Sequence, residues 1–405
     1  MPLGEPATLV ARLRPAAKGV RLLVQRRAAG RWVLAARVTT AKDGRAVLRL
    51  DTGTAGQQQL RVLRPSPRRT LRATSKAATI TVVAADPGCT PRTPLVDPLA
   101  TDAARCLAAR LDRWQAAGAM AAGQQLNVSN QAYADPLTAV GGDLPVVGLD
   151  LEELVDSEGY GFPVRPLDHV VGLAQRGAVL SVSWHPDNPA TAAPSSFYDR
   201  SWTSVHELLQ PTPAANRFWA DFDAGMALFT QLQAAGVAVV FRPLHEANGD
   251  WFWWGRPDPA TYRALWAAMQ QRAALLGVHN VLWAYSFNAD TGDNTSEPVR
   301  LLPAAVDLAG LDSYSRPGEA LSTAGYAAVA ARVSRMAFTE VGPYQSGDGS
   351  WDPAVIARAA RELTNRPVWS MFWFNDGTGV KQLSSLTGGA AWLASCPGGF
   401  CTLPR

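Results

Sequence analysis

Eight times between residues 119 and 373 the chain produces a short, nearly uninterrupted apolar run. The runs lie at 119–127, 145–150, 178–184, 237–244, 280–286, 306–312, 334–339 and 367–373. Continuous rather than alternating apolarity is what a strand needs when both faces of its sheet are covered, as in parallel sheets. Amphipathic helical spacing fills most of the intervals, for example at 216–236, 260–277 and 354–364, with flanking helices at 98–118 and near 386–395. Gly118 is placed to end the first of these helices. Eight strands in about 300 residues predict an α/β fold, a (β/α)8 TIM barrel. A doubly wound open sheet is the competing arrangement, but no GxGxxG or GxxxxGK loop follows any of the runs.

The first 84 residues follow a different rhythm. TLVARL, VRLLVQRR, WVLAARVTT, AVLRL, QLRVLR and ATITVVA are short β-type runs separated by turn dipeptides such as Lys18-Gly19 and Asp43-Gly44. They look like the immunoglobulin-like modules attached to many secreted bacterial proteins. The expected organisation is an immunoglobulin-like β-sandwich accessory domain over 1–84, a Pro-rich linker over 85–97 and a catalytic (β/α)8 domain over 98–405. Charge divides the chain in the same place. Residues 1–80 hold 17 Lys+Arg against three Asp+Glu, net +14, and the remainder holds 21 against 31, net −10. That excess basicity suits acidic wall polymers or a membrane surface, or belongs to a solvated spacer. Trp32 is the unit's only tryptophan, which argues against a sugar-stacking module.

Several classes are excluded by composition. No run approaches the roughly 18–20 apolar residues of a membrane span. No nucleic-acid recognition motif accompanies the basic segment. The four cysteines, Cys89, Cys106, Cys396 and Cys401, form no CxxC pair and have no histidine at metal spacing, so no metal is expected. An even number suits two disulfides: a local bridge between Cys396 and Cys401 would leave Cys89 to pair with Cys106.

In a barrel, chemistry sits at the C-terminal strand ends. The fourth run, VAVVFRPLHE, arrives at His245-Glu246 and continues as ANGDWFWWG. Aromatic faces cover the C–H surfaces of sugars. They also form a wall of low polarity that raises the pKa of a neighbouring carboxyl, which a general acid for a glycosidic oxygen requires. The plain structural alternative makes the tryptophans core and pairs Glu246 with Arg242. The seventh run, RMAFTE, ends at Glu340. Ends of strands four and seven face each other across a barrel mouth, and a retaining glycosidase needs a second carboxylate about 5–5.5 Å from the first.

SWHPDNP (183–189), FRPLHEANGDWFWWG (241–255), LWAYS (282–286), GLDSY (310–314), FTEVG (338–342) and WSMFWFN (369–375) resemble, in order, the motifs of glycoside hydrolase family 26 over residues 95–400. The resemblance implies a retaining endo-hydrolase of β-1,4-mannan, including galactomannan and glucomannan, with Glu246 as acid/base and Glu340 as nucleophile. His185 and His245 match residues lining the site beside the cleaved bond. Tyr314 matches a hydrogen-bond donor to the nucleophile, and Trp251 and Trp373 match aromatic platforms, although Trp369 shares a strand face with Trp373. Asn248 and Trp254 join them as candidate substrate contacts, with Arg242 supporting the carboxylates from behind. Asp250 either contacts substrate or shapes the loop, and Asp150 and Asp312 are read as structural strand-end acids. The segment VRLLPAAVDLAGLDSY keeps only the Pro and a later Asp of the Tyr-Pro-Gly-Asp turn common in mannan-active members. Mixed-linkage β-glucan and β-1,3-xylan, which the resemblance also allows, are the alternative substrates. A non-catalytic glycan-binding protein is the alternative of another class, and the paired glutamates speak against it. No cofactor is implied. The expected partner is the polysaccharide alone, the chain a monomer, and its location extracellular, with any leader outside this sequence.

Overall fold

The computed structural model describes residues 7–28, 30–50, 56–66, 72–82, 87–127, 144–155, 167–192 and 195–403. Two compact units divide at Pro87/Gly88. The first is all-β and antiparallel. Strands β1 (Ala7–Arg12) and β4 (Arg45–Leu50) form one sheet, and β2 (Arg21–Ala28), β3 (Arg31–Thr39), β5 (Gly56–Arg64), β6 (Ala73–Thr74) and β7 (Ala78–Val82) form the other. Alternation along β2 buries Leu22 and Val24, which share a core with Leu60 of β5, while the intervening residues face outward.

In the second unit eight parallel strands run in sequence order around a closed circuit. They are β8 (Ala119–Gln125), β9 (Val146–Asp150), β10 (Val179–Trp184), β11 (Val239–Pro243), β12 (Val281–Asn288), β13 (Leu308–Ser315), β14 (Met336–Pro343) and β15 (Trp369–Phe372). Pairing of Trp369–Phe372 with Ala121–Gln124 joins the last strand to the first, so this is the predicted TIM barrel and not an open sheet. A short strand, β16 (Phe400–Thr402), adds antiparallel to β8. The continuous apolar runs have their physical reason here: β10, β11 and β14 are buried at every position.

Helices start where side chains accept the otherwise unpaired first amides. Thr101, Thr212 and Asp258 cap the helices Asp102–Ala116, Pro213–Ala234 and Pro259–Leu275, and the last two have proline in the first turn. The helix Asp102–Ala116 has a particular place. Its Ala104, Leu107, Ala108 and Leu111 share one buried cluster with residues from all eight barrel strands, among them Ala121, Val240, Leu308 and Trp369. It therefore packs against the N-terminal ends of the strands, away from the ends that carry the glutamates. Disulfides join Cys89 to Cys106, on this helix, and Cys396 to Cys401, within β16. No helix among the described residues is long and apolar enough to cross a membrane.

Strand ends depart from the sequence reading where they matter most. β11 stops at Pro243, three residues short of Glu246. β14 runs on to Pro343, so Glu340 lies within the strand and not at its end.

Candidate active site

Past Pro243 the backbone turns sharply. Leu244 and Glu246 both take left-handed conformations, at φ 47° and 53°, which L-residues with side chains adopt at a cost. Two hydrogen bonds hold this turn: Glu246 N–H donates to Ser286 O at 2.9 Å, and Gly249 N–H donates to Glu246 O at 2.8 Å. The result aims the Glu246 carboxylate over the barrel mouth. Its Oε2 accepts from Trp251 Nε1 at 2.8 Å and its Oε1 from Asn288 Nδ2 at 2.7 Å.

Glu340 is aimed by a different device. Between β13 and β14 the register slips, with Leu311 opposite Phe338 but Asp312 opposite Glu340, leaving Thr339 as an extra residue. A bulge of this kind re-aims a side chain. Here Thr339 and Glu340 both reach inward. Thr339 Oγ1 lies 2.6 Å from Ser286 Oγ, and Glu340 Oε1 accepts from Arg242 Nη2. Tyr314 OH donates to Glu340 Oε2 at 2.9 Å, and His245 Nε2 lies 3.6 Å from Oε1. Arg242 is fully buried and also reaches Asp312 at 3.3 Å and Ser286 Oγ at 2.8 Å.

One carboxylate oxygen from each of Glu246, Asp312 and Glu340 lies within 4.8 Å of the others. Such a trio can attract a cation, and the guanidinium of Arg242 already supplies one, bridging Asp312 and Glu340. The two glutamates then differ in surroundings. Burial pushes the Glu246 carboxyl up to about 7, and the charge of Glu340 adds to that, against the opposing hydrogen bonds from Asn288 and Trp251. Burial, followed by the nearby Glu340, lifts Tyr314 well above the usual phenol range, so it stays a donor. Burial, with His185 and Arg242 adding to it, depresses His245 well below its ordinary value and keeps it neutral. A cleft of about 490 Å³ opens over these groups, lined by His185, His245, Glu246, Trp251, Tyr314, Glu340 and Trp373 among others. The arrangement pairs a carboxyl that holds its proton with a carboxylate clamped by a guanidinium and a phenol.

Comparison with known proteins agrees with this geometry. The family model described as Glycosyl hydrolase family 26 matches residues 96–385. The chain belongs to glycosyl hydrolase family 26. Among curated relatives, mannan endo-1,4-beta-mannosidase A and B of Caldalkalibacillus mannanilyticus is 31% identical over 220 residues, covering 51% of this chain and 42% of that protein. A Bacillus subtilis mannan endo-1,4-beta-mannosidase is 33% identical over 212 residues, 49% of this chain and 56% of its own. The chain thus spans about half the length of the curated relatives it matches. Among solved structures, the YdhT protein from Bacillus subtilis superposes with a TM-score of 0.63 at 23% identity, covering 74% of this chain and 93% of that one. A modular endo-beta-1,4-mannanase from Cellulomonas fimi gives 0.60 at 24%, covering 74% and 75%. These two show a shared fold.

Within this family 26 barrel, seven of the ten residues singled out from the sequence line the cleft, and an eighth, Arg242, holds Glu340 from below. Asn248 and Trp254 do not line it. Asn248 is fully buried and acts on the loop, donating to Asn288 O and Ser296 O and accepting from Asn288 N. Trp254 is fully buried, stacks on Phe252 at 4.4 Å and donates to His245 O at 2.8 Å. The aromatic run is thus split: Trp251 and Phe252 face the cleft, whereas Trp253 and Trp254 are core. Trp369, the competitor of Trp373, lies in the barrel interior, while Trp373 sits beyond the strand end in the cleft. Arg242 pairs with Glu340 and Asp312 rather than with Glu246. Asp150 is an active-site neighbour, accepting from His185 Nδ1 at 2.5 Å. Asn288, which the sequence motifs stop short of, lies two residues past LWAYS on the same strand face as Ser286, so alternation along the strand points to it. Tyr198, Tyr344, Asp376 and Lys381 also line the cleft from loops that carry no such signal.

Proposed function

We propose that this chain is a retaining endo-β-1,4-mannanase, with Glu340 as nucleophile and Glu246 as acid/base. The observation that carries the reading is the pair itself: carboxylate oxygens within 4.8 Å, in unlike surroundings. That separation suits direct attack on the anomeric carbon, whereas inversion needs room for water and about 6.5–9.5 Å. Glu340, oriented by Arg242 and Tyr314, attacks C1 while Glu246 gives its proton to the leaving oxygen. The resulting glycosyl-enzyme ester is opened by water, whose proton returns to Glu246. Trp251 and Trp373 offer stacking faces for sugars on the two sides of the cleaved bond, and His185 and His245 offer polar contacts between them. No step calls for a metal or organic cofactor.

The curated relatives favour β-1,4-mannan, and a substrate too large to enter a cell favours an extracellular enzyme. The test is NMR of the anomers released from galactomannan, with reducing-sugar assays on glucomannan, mixed-linkage β-glucan and β-1,3-xylan alongside. The β-anomer should appear first, with mannans cut fastest. Initial α-anomer would overturn the mechanism, and faster release from β-glucan or β-1,3-xylan would overturn the substrate. Binding without turnover would instead support a glycan-binding protein.

A further inference from the structure

The five strands β2, β3, β5, β6 and β7 contain seven arginines and no acidic residue. One face of this sheet is core, through Leu22, Val24 and Leu60. The other carries a fixed polar array. Arg27 stands opposite Trp32, and Gln25 opposite Arg61. Arg61 lies over the Trp32 ring at 4.3 Å, and its Nε donates to Gln25 Oε1 at 2.8 Å. Arg27 Nη1 donates to Gln59 Oε1 at 3.2 Å. Among the described residues of this unit, the ion pair is Arg45 with Asp43, at 4.0 Å in a turn of the other sheet. No carboxylate among those residues pairs with Arg27 or Arg61.

Charge alone would make this a solvated face. What distinguishes it is orientation: neighbouring carboxamides and an indole hold the two guanidiniums in place, so less freedom is lost when they take a partner. Guanidinium forks match carboxylates, and carboxamides and an indole match sugar hydroxyls and C–H surfaces. We propose that this face binds a carboxylate-bearing polysaccharide, a polyuronate, as a site separate from the catalytic cleft.

Affinity electrophoresis of the full chain through gels containing polygalacturonate tests this, with galactomannan gels, duplex DNA and phosphatidylserine vesicles as further arms. Polygalacturonate should retard the protein, less so as salt rises. Arg27→Gln/Arg61→Gln should weaken that binding by about ten-fold, with melting temperature and galactomannan turnover unchanged. Should the double variant unfold, Arg27→Gln alone, on an exposed side chain, should still show a weaker retardation. Unchanged binding in the folded variants overturns the proposal, as does absence of binding, retention by galactomannan alone, or tighter binding to DNA or vesicles.

Discussion

Glu246 is held protonated by burial and by Glu340, and held back from a still higher pKa by two donors, Asn288 and Trp251. Removing a donor to the charged form must therefore raise the pKa. Trp251→Phe should move the basic limb of kcat/KM above its starting point near 7, while Glu340→Gln, which removes a negative neighbour, should lower the pKa of Glu246 as followed by NMR titration. A basic limb that stays put in Trp251→Phe contradicts the assignment. Stability carries the same sign. The folded pKa of Glu246 lies above the unfolded value of about 4.3, so its contribution is complete below that value and is lost as pH rises towards about 7. Glu246→Gln should then melt higher than the parent by roughly 5 °C at pH 8, with little difference at pH 4. Calorimetry at the two pH values checks this.

At the scale of elements, the site depends on packing that touches no substrate. A methyl group at Gly310 would meet Thr339 Oγ1 at 2.2 Å, and Thr339 is the bulge residue beside Glu340. Gly310→Ala should cost about 1–3 kcal/mol in stability and lower kcat more than it raises KM. An unaltered kcat would show that the bulge tolerates the shift. The two disulfides close chains of different length, 17 and 5 residues. Loop-closure entropy then assigns roughly 3 kcal/mol to Cys89–Cys106 and roughly 2 kcal/mol to Cys396–Cys401, an order that denaturation of the two double Cys→Ser variants can check. Elements were also the most legible level in the sequence. Eight buried runs became eight strands because a strand covered on both faces has no polar positions to break the run. Their ends were misread where backbone irregularity intervenes, at the left-handed Leu244 and Glu246 and at the Thr339 bulge, since neither has a distinctive residue type. Trp254 was misread because aromatic content does not distinguish a wall of the cleft from the packing behind it. Tyr198 and Lys381 come from loops whose course no periodicity predicts.

For the molecule as a whole, the barrel closes on itself through β15 and β8 and has its own helix packed against the N-terminal ends of its strands. Residues 88–405 alone should therefore keep the kcat of the full chain on soluble galactomannan. A loss of more than about ten-fold, or a drop in melting temperature, would show that the N-terminal unit completes the catalytic one.

The turn at Leu244–Glu246 has one more consequence, for how such a barrel can diversify. The aim of the acid starts from backbone angles and a bond to Ser286 and is completed by Trp251 of the aromatic loop and by Asn288 at the end of β12, to which Asn248 ties the start of that loop. Aim and recognition thus meet at Trp251, and the other loops around the mouth are free of the first task. Grafting the loop at 344–351, which contains neither Trp251 nor Asn288, from another barrel should therefore leave the direction of proton delivery where it was.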